Sequence, residues 1–148
     1  MSTQTIAQQR AKHALGKITD YMLKQADAQK RFNSYVAGLG PMILMSGFGQ
    51  ACAFYYANKK DEHRDVIDIL DDWLQQSGRP FQNHKKDGSY IMARIVKCDM
   101  QEYRIAQVEA LVYLDWLKKF AKAFLKSEDD NSSDKQKTTP LVVEERVS

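Results

Sequence analysis

Residues 32–57 read FNSYVAGLGPMILMSGFGQACAFYYA, a stretch with no charged side chain in a chain of 148 residues that is 28% charged overall. A membrane-spanning helix needs about 20 mostly apolar residues in one element. Here Asn33, Ser34, Gly38, Gly40, Pro41 and Gln50 interrupt the stretch, which favours the buried centre of a helical protein over a membrane span. Gly38-Leu39-Gly40-Pro41 reads as a helix stop followed by a new start, because glycine ends helices cheaply and proline suits a first turn. The expected elements are a short helix over Ala28–Ala37, with Phe32, Tyr35 and Val36 inward, and a central helix over Pro41–Asn58. The latter is apolar nearly all round and therefore buried. Gly47 and Gly49 inside it would each cost about 1 kcal/mol against alanine, and their use would be to let another backbone approach. A phosphate-binding glycine loop does not fit, since no strand precedes and no Lys-Ser/Thr follows.

Helical periodicity continues on both sides. Ala7, Ala11, Ala14, Leu15, Ile18, Tyr21, Met22 and Ala26 recur at three- and four-residue steps, giving a first helix over Thr5–Ala26 with Arg10, Lys12, Lys17 and Lys24 largely off the stripe. A fourth helix, Asp61–Gln76, turns Val66, Ile69, Leu70, Trp73 and Leu74 inward. Its acids, Asp61, Glu62, Asp65, Asp68, Asp71 and Asp72, are expected outward as a solvated or docking face. Residues 77–88, SGRPFQNHKKDG, form a basic loop by content. Ser89 suits the cap of a short helix through Val96. Asp99-Met-Gln-Glu102 has the spacing of a capping box and opens a last helix reaching Lys126. Tyr103, Ala106, Ala110, Leu114, Leu117, Ala121 and Phe124 form its stripe. Nowhere is there a sustained period-two run of β-branched residues. The expected fold class is all-α, a compact bundle of five or six helices over 1–125. An acidic tail over 126–148 is expected to be disordered, its final LVVEERVS being either an expendable end or a short linear contact.

The formal net charge is +3, unevenly spread: the tail has four basic and six acidic residues, so the body carries +5. This moderate excess biases partners toward anions without approaching a composition that coats nucleic acid. Cys52 and Cys98 have no CxxC spacing and read as thiols in a reducing compartment. The three histidines lack ligand spacing, so no metal is expected. No signal core is present at the start, and the cytoplasm is the expected location. No nucleophile–base motif accompanies His13 or His63, and Cys52 on an apolar helix lacks an activating electropositive setting. Neither an enzyme nor a cofactor is therefore expected. Two readings remain open: a subunit that touches nucleic acid through basic residues and exposed tyrosines such as Tyr35 or Tyr103, and a helical adaptor that binds only proteins.

Three segments in order carry a resemblance: AKHA at 11–14 with Tyr35 and Val36 following, LGPMILMSGFGQACAF at 39–54, and YRIAQVEALVYLDWLKKFAKAFL at 103–125. Together they resemble the small helical subunit of the type III-B CRISPR RNA-silencing complex, the Cmr complex, over residues 7–125. The resemblance implies a helical bundle without catalytic activity that acts in antiviral defence. Copies of it would stack beside RAMP-fold backbone subunits and the large subunit, lining the channel where guide RNA pairs with target RNA. It implies RNA contact at Lys12, Lys17 and Arg104, with Lys118, Lys119 and Lys122 as further candidates. Pro41, Gly47, Gln50, Glu109 and Trp116 would be structural signature positions. The loop residues Arg79, Lys85 and Lys86 lie outside any matched pattern and are candidates on charge alone. A basic first helix and an acidic fourth one would also favour head-to-tail association between copies.

Overall fold

Thr5 starts the first helix. Its Oγ1 accepts a hydrogen bond from the Gln8 backbone N–H at 3.1 Å, and Gln8 Oε1 accepts from the Thr5 N–H at 2.8 Å, so two otherwise orphaned donors are satisfied. The computed structural model describes residues 3–58, 60–82 and 90–128. These form α1 (Ile6–Tyr21), α2 (Ala26–Ser46), α3 (Phe48–Ala57), α4 (Asp61–Leu74), α5 (Ile91–Lys97) and α6 (Met100–Phe124). The all-α class and the six-helix bundle agree with expectation, and there is no strand among the described residues. Among the described residues no helix is long and apolar enough to cross a membrane. The tail beyond Glu128, the loop positions His84, Lys85 and Lys86, and the expected cap Ser89 lie outside the described residues; Tyr90 occupies the position before α5.

The break in the uncharged stretch is displaced from where the sequence puts it. α2 runs straight through Gly38–Pro41 and ends only at Gly47. Two features permit this. Gly40, lacking a Cβ, relieves the clash that disfavours helix before proline. Ala37, whose carbonyl would have bonded to the missing Pro41 N–H, is exposed and open to water. Gly47 has φ +90° and ψ 158°, a combination open essentially to glycine alone. α2 and α3 therefore form a hairpin of helices with Gly47 at its corner. Tyr55 of α3 donates its hydroxyl to the Tyr35 carbonyl of α2 at 2.6 Å, and Gly38 makes room for that hydroxyl, 3.3 Å from where a Cβ would stand. At Gly49 a Cβ would meet side chains, Ile95 at 3.3 Å and the Tyr103 hydroxyl at 3.5 Å, so the glycine admits neighbouring side chains and not the expected backbone.

The central element is α6, not the Pro41–Asn58 segment. Pro41, Leu44 and Met45 are exposed on α2, the last at 87%, and Phe54 is exposed on α3. An uncharged sequence is buried only on the faces that meet neighbours, and a hairpin of two helices leaves its outer faces free. α6, about 37 Å long at 1.5 Å per residue, packs on α1, α2 and α4. Buried Ala106, Ala110 and Ala121 let those helices come close, and Tyr113, Leu114 and Leu117 fill the space between. Asp99 caps α6 by accepting from the Glu102 N–H at 2.8 Å. The Glu102 side chain does not close the box; it turns to Arg94 of α5.

α1 ends at Tyr21, five residues short of expectation, because Gln29 of α2 donates to the Met22 and Lys24 carbonyls at 3.1 and 2.8 Å and fixes the turn there. The acids of α4 are not all outward. Glu62 and Asp71 are buried, the former paired with Arg31 of α2, the latter accepting from Gln75. Asp65 accepts the Tyr21 hydroxyl at 2.7 Å, and Asp72 stands 3.5 Å from Lys17. One pair of the opposite charges expected to join separate copies, Lys17 and Asp72, meets between α1 and α4 of one chain.

The corner makes a direct prediction. Gly47→Ala should lower stability by about 1–3 kcal/mol through backbone strain. Gly16→Ala, in the open on α1, should raise it by up to about 1 kcal/mol. Urea denaturation of both variants checks the sign of each; a neutral Gly47→Ala would contradict the corner.

Candidate nucleic-acid interface

A polar network under α1 organises the side of the bundle where two of the expected RNA-contact residues lie. Glu109 sits on the buried stripe of α6, one turn from Ala106 and beside Ala110. Arg10 clasps it with two bonds, Nε to Oε2 at 2.7 Å and NH2 to Oε1 at 2.9 Å. Trp73 Nε1 donates to Oε2 at 3.0 Å, and Arg79 stands 4.0 Å from Oε1 with its guanidinium 5.4 Å from the Trp73 ring centre. Burial would raise the Glu109 carboxyl, but the bonds from Arg10 and Trp73 outweigh it and hold the group below the ordinary carboxylate range. Beside it His13 bonds Asp72 through Nε2 at 2.7 Å and the Tyr113 hydroxyl through Nδ1 at 2.5 Å. With Nε2–H donating and Nδ1 accepting, the neutral ring satisfies both partners. Burial lowers its proton affinity more than Asp72 raises it. Tyr113 stacks on Trp73 with ring planes 11° apart.

These groups are tied to one another. Glu109 and His13 have their polar atoms engaged by neighbours, and burial pushes the Cys52 thiol up to about 12, far from a reactive thiolate. Among the described residues no group of histidine, cysteine or carboxylate side chains could hold a metal ion. Arg10, expected off the buried stripe, is instead mostly buried, its side chain 17% exposed. The signal was present in Glu109: an acid on an apolar stripe of α6 requires a cation from the helix opposite.

The sequence-derived RNA candidates divide between separate places. Lys12 and Lys17 border a groove of about 660 Å³ with His13, Trp73, Gln76 and Arg79. Arg79 is only 18% exposed and turned onto Trp73 and Glu109; Lys85 and Lys86 lie outside the described residues. Lys118 and Lys122 form a second recess, about 280 Å³, together with Lys30, Asn33 and Ser34 of α2. Lys30 is not among the sequence-derived candidates, because only folding brings α2 beside the end of α6. Lys119 pairs with Asp115 one turn away at 2.8 Å. Arg104 is exposed on the same side of α6 as Lys122, about 27 Å away along the helix. Between them Ile105, Val108 and Val112 are exposed, so this face is basic at its ends and apolar in the middle. Neither tyrosine considered for base stacking is free. Tyr35 stacks on His63 with ring centres 3.4 Å apart, and the Tyr103 hydroxyl accepts from the Gly49 N–H at 2.8 Å. Of the signature positions, Gly47 forms the corner, Glu109 the polar hub, and Trp116 packs half-buried beside Phe120. Pro41 and Gln50 are exposed.

The molecule is thus an all-helical bundle with an internal polar network centred on Glu109 and scattered basic recesses. Its residues 6–124 match the family described as CRISPR-associated protein (Cas_Cmr5), a span that includes all six helices, and the chain belongs to that family. Among solved structures it is similar to a CRISPR-associated Cmr5 family protein from Thermus thermophilus, with a TM-score of 0.67 and 20% identity, covering 82% of this chain and 98% of the other. No curated protein matches the sequence significantly.

The network sets an order of losses. Glu109→Ala leaves Arg10 buried without its partner and Trp73 Nε1 without an acceptor, and should cost about 3 kcal/mol. Arg10→Met should cost less, since Glu109 keeps Trp73 and Arg79. Equal losses in urea denaturation would contradict this order. Stability should also fall with acidification in two limbs. Folded His13 and His63 bind protons less readily than at the ordinary 6.5, so the unfolded chain protonates first as pH drops through that value. Glu109 adds stability above its ordinary 4.5 that is lost as pH falls through its lower folded value. Urea midpoints across pH should show the upper limb shrink in His13→Gln and the lower limb shrink in Glu109→Ala.

Proposed function

We propose that this chain is a non-catalytic small subunit of a type III-B CRISPR ribonucleoprotein. In this reading copies of it stack along the complex in the cytoplasm, beside RAMP-fold backbone subunits and the large subunit, and help hold the guide–target RNA duplex for antiviral defence. The observation that carries the reading is the family match across residues 6–124. The chemistry of the bundle supports it: the half-buried His13 and the buried Glu109 and Cys52 serve packing, while Lys30, Lys118 and Lys122 stand together at one recess.

Phosphate contacts from such lysines position a nucleic acid without reading its bases. One copy neutralises few phosphates and binds weakly; a row of copies on one RNA adds linked contacts. The second reading, an adaptor that touches only proteins, draws on the exposed apolar residues Leu44, Met45, Val108 and Val112.

Assembled complex carrying Lys30→Ala, Lys118→Ala and Lys122→Ala should bind target RNA more weakly. The dependence of log affinity on log salt should flatten by about 0.7–0.9 for each phosphate no longer neutralised, with helical circular dichroism unchanged. A parallel set at Lys12, Lys17 and Arg104 tests the other recess and the far end of α6. Intact assembly with unaltered affinity and salt slope in both sets would leave the adaptor reading standing.

A further inference from the structure

Beside the recess of Lys118 and Lys122 runs an apolar groove between α2 and α6, about 540 Å³, lined by Val36, Pro41, Leu44, Leu111, Val112 and Trp116 among others. We propose that this groove is the docking site of the chain's own segment Leu141–Val143, reached by the acidic stretch that precedes it.

The end of α6 is fastened to α2. Asn33 of α2 donates to the Ala121 and Lys126 carbonyls at 3.1 and 3.2 Å, and Gln29 accepts from the Lys126 N–H at 3.0 Å. The next residues, Ser127 and Glu128, line the recess with Lys30, Lys118 and Lys122. That recess and the apolar groove share Ala37 and Lys118, so the last described residues stand next to the groove.

The residues from Glu128 onward suit the surface they would cross. Glu128, Asp129, Asp130 and Asp134 come first and Lys135 and Lys137 follow; the recess that Glu128 lines has three lysines as its cations. Leu141, Val142 and Val143 are the first branched aliphatic residues after Leu125. A coil of the length of residues 129–140 spans about 20 Å on average, enough to reach an adjacent groove. Such a tether holds its segment at an effective concentration in the millimolar range, so a few buried aliphatic side chains suffice for occupancy. The same tether favours the chain's own groove over that of another copy. A docked segment would cover Trp116 and Leu44. The proposal does not depend on the RNA reading.

The test uses the full chain in solution, comparing it by nuclear magnetic resonance with Leu141→Asp/Val143→Asp. Both changes lie outside the buried core, which ends at Leu125 among the described residues. The Trp116 indole signal and the Leu44, Leu111 and Val112 methyl signals should shift between the two proteins while signals from the α1–α4 side coincide. Added peptide TTPLVVEERVS (138–148) should return the variant's groove signals toward the native positions. Coincident groove signals in the two proteins would overturn the proposal. Groove signals of the native chain that move to the variant's positions on dilution would overturn it too, since the occupant would then be the segment of a second copy.

Discussion

The bundle depends on one carboxylate. Glu109 lies on the buried stripe of α6, the helix against which α1, α2 and α4 all pack. A carboxylate there is tolerable only with charge-assisted bonds that replace its lost water. Arg10 supplies two of them from α1 and Trp73 a third from α4. The same constraint sets α1 in register against α6, and that register brings His13 between Asp72 and Tyr113 and Tyr21 to Asp65. Polar groups here specify how three apolar helices fit, where the alanine-rich stripes of α1 and α6 alone would accept several offsets.

Much of the helical layout was legible in the sequence, and the misreadings share causes. Asp99 announced the start of α6 because a cap acts within four residues. The apolar stripes of α1, α4 and α6 were legible because periodicity is a local property. Gly38–Pro41 misleads when proline and glycine are weighed as breakers without regard to exposure; on a solvent-facing turn the missing hydrogen bond costs little. Gly47 is decisive for a reason no spacing reveals, its backbone dihedrals. Arg10, Arg79, Glu62 and Asp71 look like surface residues only while charge is equated with exposure, whereas each has a partner in the fold. The candidate interface was only partly legible for a related reason. Lys118 and Lys122 follow from helical phase, but Lys30 joins them only through the packing of α2 on α6.

The surface is correspondingly divided. Positive groups at two recesses flank hydrophobic stretches, while the acidic face expected to serve as an external dock is largely engaged within the chain. A charge count over the sequence overstates what remains for partners: Lys17, Arg10, Arg31, Arg79, Arg94 and Lys119 each stand within ion-pair distance of a carboxylate of the same chain. Basic residues outside these pairs include Lys12 of α1, Arg64 of α4, Lys97 of α5 and Arg104, Lys118 and Lys122 of α6.

The pairing of Arg10 with Glu109 also bears on the order in which the molecule comes into being. The partners of α1 sit on α4 and α6, and the arginine must wait for an acid encoded 99 positions later. At the usual pace of synthesis, about 5–20 residues per second, that interval is about 5–20 s, during which α1 lacks the helix that carries the partner of Arg10. The α2–α3 hairpin, closed by Tyr55 on Tyr35 across 20 positions, can form during that interval. α1 is made before α6 and gains its bond to Glu109 only once α6 is in place.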